Sequence, residues 1–442
     1  MNKPDVKYPS AVYGWSMVGL LTLAYVFSML DRYILGYLIK PIKEDLNFSD
    51  WEVGLLTGPA FTLLYATTAI PIGLLVDRRS RTKIIAIGVA VWSIATILTG
   101  SARTFWTMFM ARMVVGIGEA VLSPAAFSII GDSFEPKRRA KPIAFYSAAL
   151  VVASALTGFI IAFLLGLAEG TVYRLPIVGE VPSWQFIFVC VGTPGLIVAL
   201  IFLLTRDAPR TESAQKSDEK LSDAFKFVGS RAAVFICFVS IFITMVGVAY
   251  AQFNWQPEMF ERTFGTEDWS RKNYAARNGT AVLIIGLTTY FMSGIVSDWW
   301  SGKGQRLAPL YLSIIGLLIL VPSQAIGPLL SNGWAAFLLV NGLGTIGIGM
   351  VSCTGVTALL QIVPGQVRGF TVALYYMTIS FVGGLTSPPL VGFMSSNVFG
   401  EANLNVAMSV LPLIYGVPAI LLLPLTVKLY RRELNAVEAA NA

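Results

Sequence analysis

Four charged residues interrupt stretches that are otherwise apolar: Asp31, Arg32, Arg112 and Glu119. A charge at the centre of a lipid bilayer costs about 2.5–3.5 kcal/mol on insertion scales, so charges so placed mark a site or a pathway. Their types are those of proton and anion handling. A carboxylate takes up and releases a proton, whereas a guanidinium stays charged and grips carboxylates or phosphates. Arg112, Gly116 and Glu119 follow i, i+4, i+7 and share one helical face. Arg32 neighbours Asp31, points to a different side and is, with Arg112, a candidate substrate contact. A structural ion pair between helices is the plainer reading of each charge.

Other chemistries are excluded by composition. Histidine is absent, which removes His-ligated metals, a Ser-His-Asp triad and histidine proton relays. Cys190, Cys237 and Cys353 all lie in apolar runs, an odd number that suits neither a disulfide framework nor a metal cluster. No metal, cofactor or catalytic residue is expected.

The elements that hold the four charges follow from the rest of the chain. Of 442 residues, 55% are hydrophobic and 13% are charged, against roughly 25% charged in a soluble domain. A membrane-spanning helix needs about 20 apolar residues. The uncharged runs give twelve helices, near 12–38, 52–76, 84–102, 104–131, 140–168, 183–205, 232–256, 277–297, 307–330, 333–361, 368–394 and 403–428. With the N-terminus inside, twenty-two of the 32 Lys and Arg fall on the cytoplasmic side, eight fall outside and two lie within helices. That is the positive-inside bias, so the net charge of +7 reflects topology and calls for no nucleic acid. Both termini come out cytoplasmic, and no signal peptide is expected.

The halves echo each other. Gly73 and Asp77 recur as Gly294 and Asp298, and Pro136–Arg139 recurs as Pro364–Arg368. Two six-helix halves in one orientation, 1–205 and 232–442, form the parallel repeat of a secondary transporter. The segment 206–231 joins them, with a short helix over 218–229 expected to lie on the cytoplasmic membrane surface.

The loop Gly73-Leu-Leu-Val-Asp77-Arg78-Arg79-Ser80-Arg81 resembles the signature of the major facilitator superfamily, although Ser80 stands where glycine is usual. Leu30-Asp31-Arg32-Tyr33, Ser49-Asp50, Arg112-x-x-x-Gly116-x-Gly118-Glu119 and Phe134-x-Pro136-x-x-Arg139 resemble the Spinster family. That resemblance implies an all-α facilitator fold of twelve helices, a bacterial inner-membrane location, and export of sphingosine-1-phosphate or lysophospholipids. For Gly73, Asp77, Arg78, Arg81 and Asp298 it implies an inter-helix lock at the cytoplasmic gate. It also places Tyr250, Phe253, Asn254, Asn341, Thr345, Tyr375 and Tyr376, on helices 7, 10 and 11, beside the central cavity.

The expected function is proton-coupled transport of a lipid-like amphiphile by a monomer, through rocker-switch alternating access. Its partners are that substrate, protons and membrane lipids. All four intramembrane charges lie in the first half, and no charge falls between Arg306 and Arg368. One cavity wall is therefore expected to be charged and the other apolar, which suits an amphiphile. The alternatives are a transporter of a small organic anion or drug and, from a different class, a membrane-embedded enzyme or sensor. Asp31 and Arg112 each lie about 10–12 Å below the outer ends of their helices and can pair, with Glu119 about 10 Å deeper. In the expected switch Arg112 is shared between the two carboxylates, and their protonation frees it for an anionic head group.

Overall fold

The computed structural model describes residues 8–135, 138–168, 173–175, 179–210, 221–363 and 368–441. It is built of helices, apart from one small hairpin of Tyr173–Leu175 (β1) and Gly179–Val181 (β2). The long helices are Ala11–Tyr37 (α1), Pro59–Arg78 (α2), Arg81–Gly100 (α3), Phe105–Ser133 (α4), Ala140–Ala168 (α5) and Ser183–Leu204 (α6). They continue with Ala232–Phe264 (α7), Arg271–Gly302 (α8), Ala308–Leu329 (α9), Gly333–Ile362 (α10), Arg368–Phe393 (α11) and Leu404–Asn441 (α12). Ten spans among the described residues are long and apolar enough to cross a membrane, and α2 and α5 complete the set of twelve. Large apolar side chains such as Ile87, Trp106, Phe163, Leu204, Leu338 and Leu421 stand exposed. On a membrane protein such faces meet lipid, where they cost nothing.

Two compact units divide the chain. The first comprises Met1–Phe48 and Leu55–Gln215; the second comprises Ser49–Gly54 and Lys216–Ala442. Ser49–Gly54 thus leaves the unit that flanks it in sequence. A short helix, Leu221–Ser230, precedes α7; residues 211–220 of the expected linker lie outside the described residues.

Lipid offers helices no hydrophobic reward for association, so small residues that admit close backbone approach organise the packing. In the first unit a Cβ on Gly88 of α3 would stand 2.8 Å from the Gly118 carbonyl oxygen of α4, and the converse distance is also 2.8 Å. In the second unit Gly316 of α9 and Gly347 of α10 repeat this contact, at 3.0 and 2.8 Å. The glycine pairs are related by offsets of 228 and 229 residues. The internal repeat thereby extends from the loops into the helix contacts, and α3–α4 corresponds to α9–α10.

Candidate functional site

The intramembrane charges of the first unit form two pairs. Arg112 Nη1 donates to Asp31 Oδ1 at 3.2 Å and to the Asp31 carbonyl at 3.3 Å. The Thr96 hydroxyl, from α3, donates to the other carboxylate oxygen. Arg32 Nε donates to Glu119 Oε2 at 2.6 Å, and the same oxygen accepts from Ser28 Oγ at 2.6 Å. Asp31, Arg112 and Glu119 are each no more than 2% exposed. Among the described residues, Arg112 Nε and Glu119 Oε1 have no hydrogen-bond partner. Each pair therefore keeps one buried polar atom that a ligand or a proton could engage.

The expected sharing of Arg112 between Asp31 and Glu119 is not what the structure contains: Glu119 is held by Arg32. Two features of α2 explain the choice. Its backbone comes into direct contact with Gly116, midway between Arg112 and Glu119 on the shared face. Its Phe61 and Tyr65 rings stack and hold the Arg32 guanidinium 4.7 Å from each ring centroid. A planar guanidinium gains both from the ring faces and from the carboxylate beyond them.

The residues expected to form a gate separate into unlike parts. Arg81 is wholly buried and binds across the unit. Its backbone N–H and Nε donate to Asp207 at 2.6 and 3.0 Å, its Nη1 donates to Ser128 and Asp132 of α4, and its Nη2 donates to the Ala208 carbonyl. Arg78 and Asp298 are exposed, Gly73 is half-buried with open space where a Cβ would stand, and the Asp77 side chain lies outside the described residues.

In the second unit the residues expected to line the cavity are dispersed. Tyr375 belongs to the apolar core, edge-on to Phe242 at 5.3 Å, while Tyr376 is exposed. Asn254 turns its amide back to the Tyr250 carbonyl at 2.7 Å. Tyr250, Phe253 and Thr345 are half-buried. Asn341 enters a side-chain network with Tyr274, Asn278 and Gln256. The second unit, whose contribution was expected to be apolar, thus contains buried amides.

The sequence profile of the Major Facilitator Superfamily matches residues 21–388. The chain belongs to that superfamily. An "MFS-type efflux pump" of Mycolicibacterium smegmatis is 24% identical over 389 residues, covering 87% of this chain and 85% of the relative. The "Sphingosine-1-phosphate transporter SPNS2" of Xenopus tropicalis is 24% identical, covering 89% and 76%. The crystal structure of a bacterial homologue of the human lysosomal transporter Spinster, in an inward-facing and unoccupied conformation, superposes with a TM-score of 0.77. It is 26% identical and covers 97% of this chain and 98% of its own. The chain is a multi-pass membrane transporter of the facilitator class and not an enzyme.

One constellation of this facilitator carries no signal in the spacing of its residues. Asp50, fully buried, receives both Arg262 Nη atoms at 2.7 and 2.9 Å and the Ser395 hydroxyl at 2.7 Å. Arg262 also binds Glu258 at 2.7 Å and the Glu401 carbonyl at 3.0 Å, while Glu401 accepts from the Asp50 backbone N–H at 2.8 Å. Asp50 precedes α2 in the chain, yet these partners belong to α7 and to the end of the α11 region. The hint available in the sequence was Ser49-Asp50-Trp-Glu52, a helix start whose second acid is already used: Glu52 accepts from the Ser49 backbone and hydroxyl.

Proposed function

We propose that this facilitator is a proton-coupled secondary transporter of a lipid-like amphiphile with an anionic head group, working by rocker-switch alternating access. The observation that carries the reading is the matched set of Asp31–Arg112 and Arg32–Glu119 inside one unit. Each guanidinium is neutralised by one carboxylate. A proton delivered to that carboxylate ends the pairing and leaves a cation in a low-dielectric setting, where an anionic head group is the replacement partner. Asp31 and Glu119 take the coupling role, and Arg112 and Arg32 take the head group. The relative named for sphingosine-1-phosphate supports an amphiphile. The Lys and Arg asymmetry of the loops supports both termini inside, and the bacterial relatives support a bacterial inner membrane.

A small organic anion or a drug is the second reading, favoured by the relative named as an efflux pump. Uptake of labelled lysolipid into proteoliposomes under an imposed pH gradient tests the proposal. Accumulation that follows the gradient and is lost in Arg112→Ala is expected. If small carboxylates or drugs displace a bound probe and lysolipids do not, the amphiphile reading falls.

A further inference from the structure

Asn341 is the repeat counterpart of Arg112. Each stands six residues before the glycine of its helix, Gly118 or Gly347, that packs against the preceding long helix. Arg112 meets an acid of α1, and Asn341 meets an amide of α7, Gln256. The repeat has kept a polar pair at this place in both units and made it ionic in one and neutral in the other.

The hydrogen bonds of the neutral pair fix which amide atoms are used. The Tyr274 hydroxyl donates to Gln256 Oε1 at 2.6 Å. Asn341 Nδ2 donates to Asn278 Oδ1 at 2.8 Å and to the Tyr274 oxygen at 3.0 Å. Gln256 therefore spends its acceptor and Asn341 its donors. Among the described residues Gln256 Nε2 and Asn341 Oδ1 have no partner, and neither does Nε2 of Gln252, one turn earlier on the same face of α7. The three residues are 3%, 4% and 9% exposed, so none of these atoms is satisfied by bulk water. Leaving such a group buried and unpaired is costly.

The backbone of α10 is shaped to the same place. Leu338–Leu343, which contains Asn341, is a π-helical turn, a distortion common at functional sites. Gly344 follows it directly. A Cβ there would stand 3.1 Å from Gln252 Nε2 and would collide with Gln324 Nε2, which is itself occupied with the Val340 carbonyl at 2.8 Å. Glycine here leaves room for the Gln324 amide and lets the Gln252 amide approach the α10 backbone.

We propose that Gln252, Gln256 and Asn341 form a subsite for an uncharged hydroxyl group of the transported molecule. Two amide N–H donors and one amide oxygen match the two lone pairs and one proton of a hydroxyl. A carboxylate or phosphate would face the Asn341 oxygen unfavourably, and an ammonium would meet two donors. The subsite rests on the reading of the chain as a transporter of an anionic amphiphile, and adds a hydroxyl to the head group. A hydroxyl beside an anion is found both in a lysolipid and in the corresponding soluble phosphate.

Binding to the purified full-length protein in detergent tests this with two matched pairs. One is lysophosphatidate and its analogue lacking the glycerol hydroxyl. The other is 1,2-propanediol 1-phosphate and propyl phosphate, which lack the acyl chain. In whichever pair binds, the hydroxylated member should bind at least about tenfold more tightly, about 1.4 kcal/mol. Asn341→Leu and Gln256→Leu should bring that ratio near one. Gln252→Met, which disturbs none of the hydrogen bonds described above, should reduce it severalfold and serves if the other two variants misfold. A native ratio below about two, or a ratio that survives in all three variants, overturns the subsite. If only the soluble pair binds and its ratio collapses in the variants, the subsite stands and the amphiphile reading falls. Binding of neither pair removes both.

Discussion

Arg32 Nε lies 2.6 Å from Glu119 Oε2, so the inner carboxylate of the first unit is neutralised from α1 and not from its own helix. Asp31, the adjacent residue on α1, is neutralised from α4. The two helices are cross-linked in both directions, each supplying one acid and one base.

Glu119→Gln should retain the Ser28 hydrogen bond and lose the charge. Under the coupling scheme this variant and Asp31→Asn each flatten the pH response of the conformational equilibrium. Distances between spin labels on the C-terminal ends of α4 and α10, taken across a pH titration, measure it. Two variants that both titrate like the native protein would leave these residues as structural pairs only.

Arg32→Lys keeps the charge and gives up the planar fork that lies against Phe61 and Tyr65. A roughly tenfold loss of proteoliposome uptake is expected, equivalent to about 1.4 kcal/mol. Uptake at the native rate would mean that point charge alone suffices at this position.

Arg112→Ala strands Asp31, 2% exposed, with the Thr96 hydroxyl as its remaining side-chain hydrogen bond. Breaking one side of a buried pair costs about 3–5 kcal/mol, whereas removing both sides often costs far less. The double variant Asp31→Asn, Arg112→Met should therefore recover most of the thermal stability that Arg112→Ala loses. Melting in detergent, followed by tryptophan fluorescence, reads the difference. A double variant less stable than the single one would contradict this account.

Arg262→Ala leaves Asp50 and Glu258 buried without their shared cation. Ser49–Gly54 should then come away from the second unit. Val53, 2% exposed, is the reporter: a Val53→Cys thiol should react with a maleimide about tenfold faster in the Arg262→Ala background, from the local loss of about 1.4 kcal/mol or more. Equal rates would show that apolar packing alone holds the segment.

Particular residues show what the sequence makes legible here and what it hides. The long helices are legible because a lipid-facing helix has to be apolar along its whole length, and charges appear only where it ends. The meeting of Asp31 and Arg112 is legible because counting turns from two helix ends gives matching depths. The partner of Glu119 is not, since two arginines are within reach and rings from a third helix decide between them. Asp50 and Arg262 are 212 residues apart and read as ordinary charges at the outer ends of helices. Gln252, Gln256 and Asn341 are hidden for a different reason. An uncharged amide does not interrupt an apolar run, although buried it needs partners as surely as an ion does.

The Arg81 cluster bears on how the chain is made. Its acceptors come from Ser128 and Asp132 and then from Asp207 and Ala208, beyond the end of α6. Synthesis runs from the N-terminus, so α1 to α6 can all be inserted while this arginine still lacks its last acceptors. The hydrogen bonds of Arg81 are complete only when residue 208 has left the ribosome, after all six helices of the unit. A nascent chain stalled before Asp207 would keep the Arg81 contacts to Ser128 and Asp132 and lack acceptors for its Nε and Nη2 atoms, a mark of incompleteness at the start of α3.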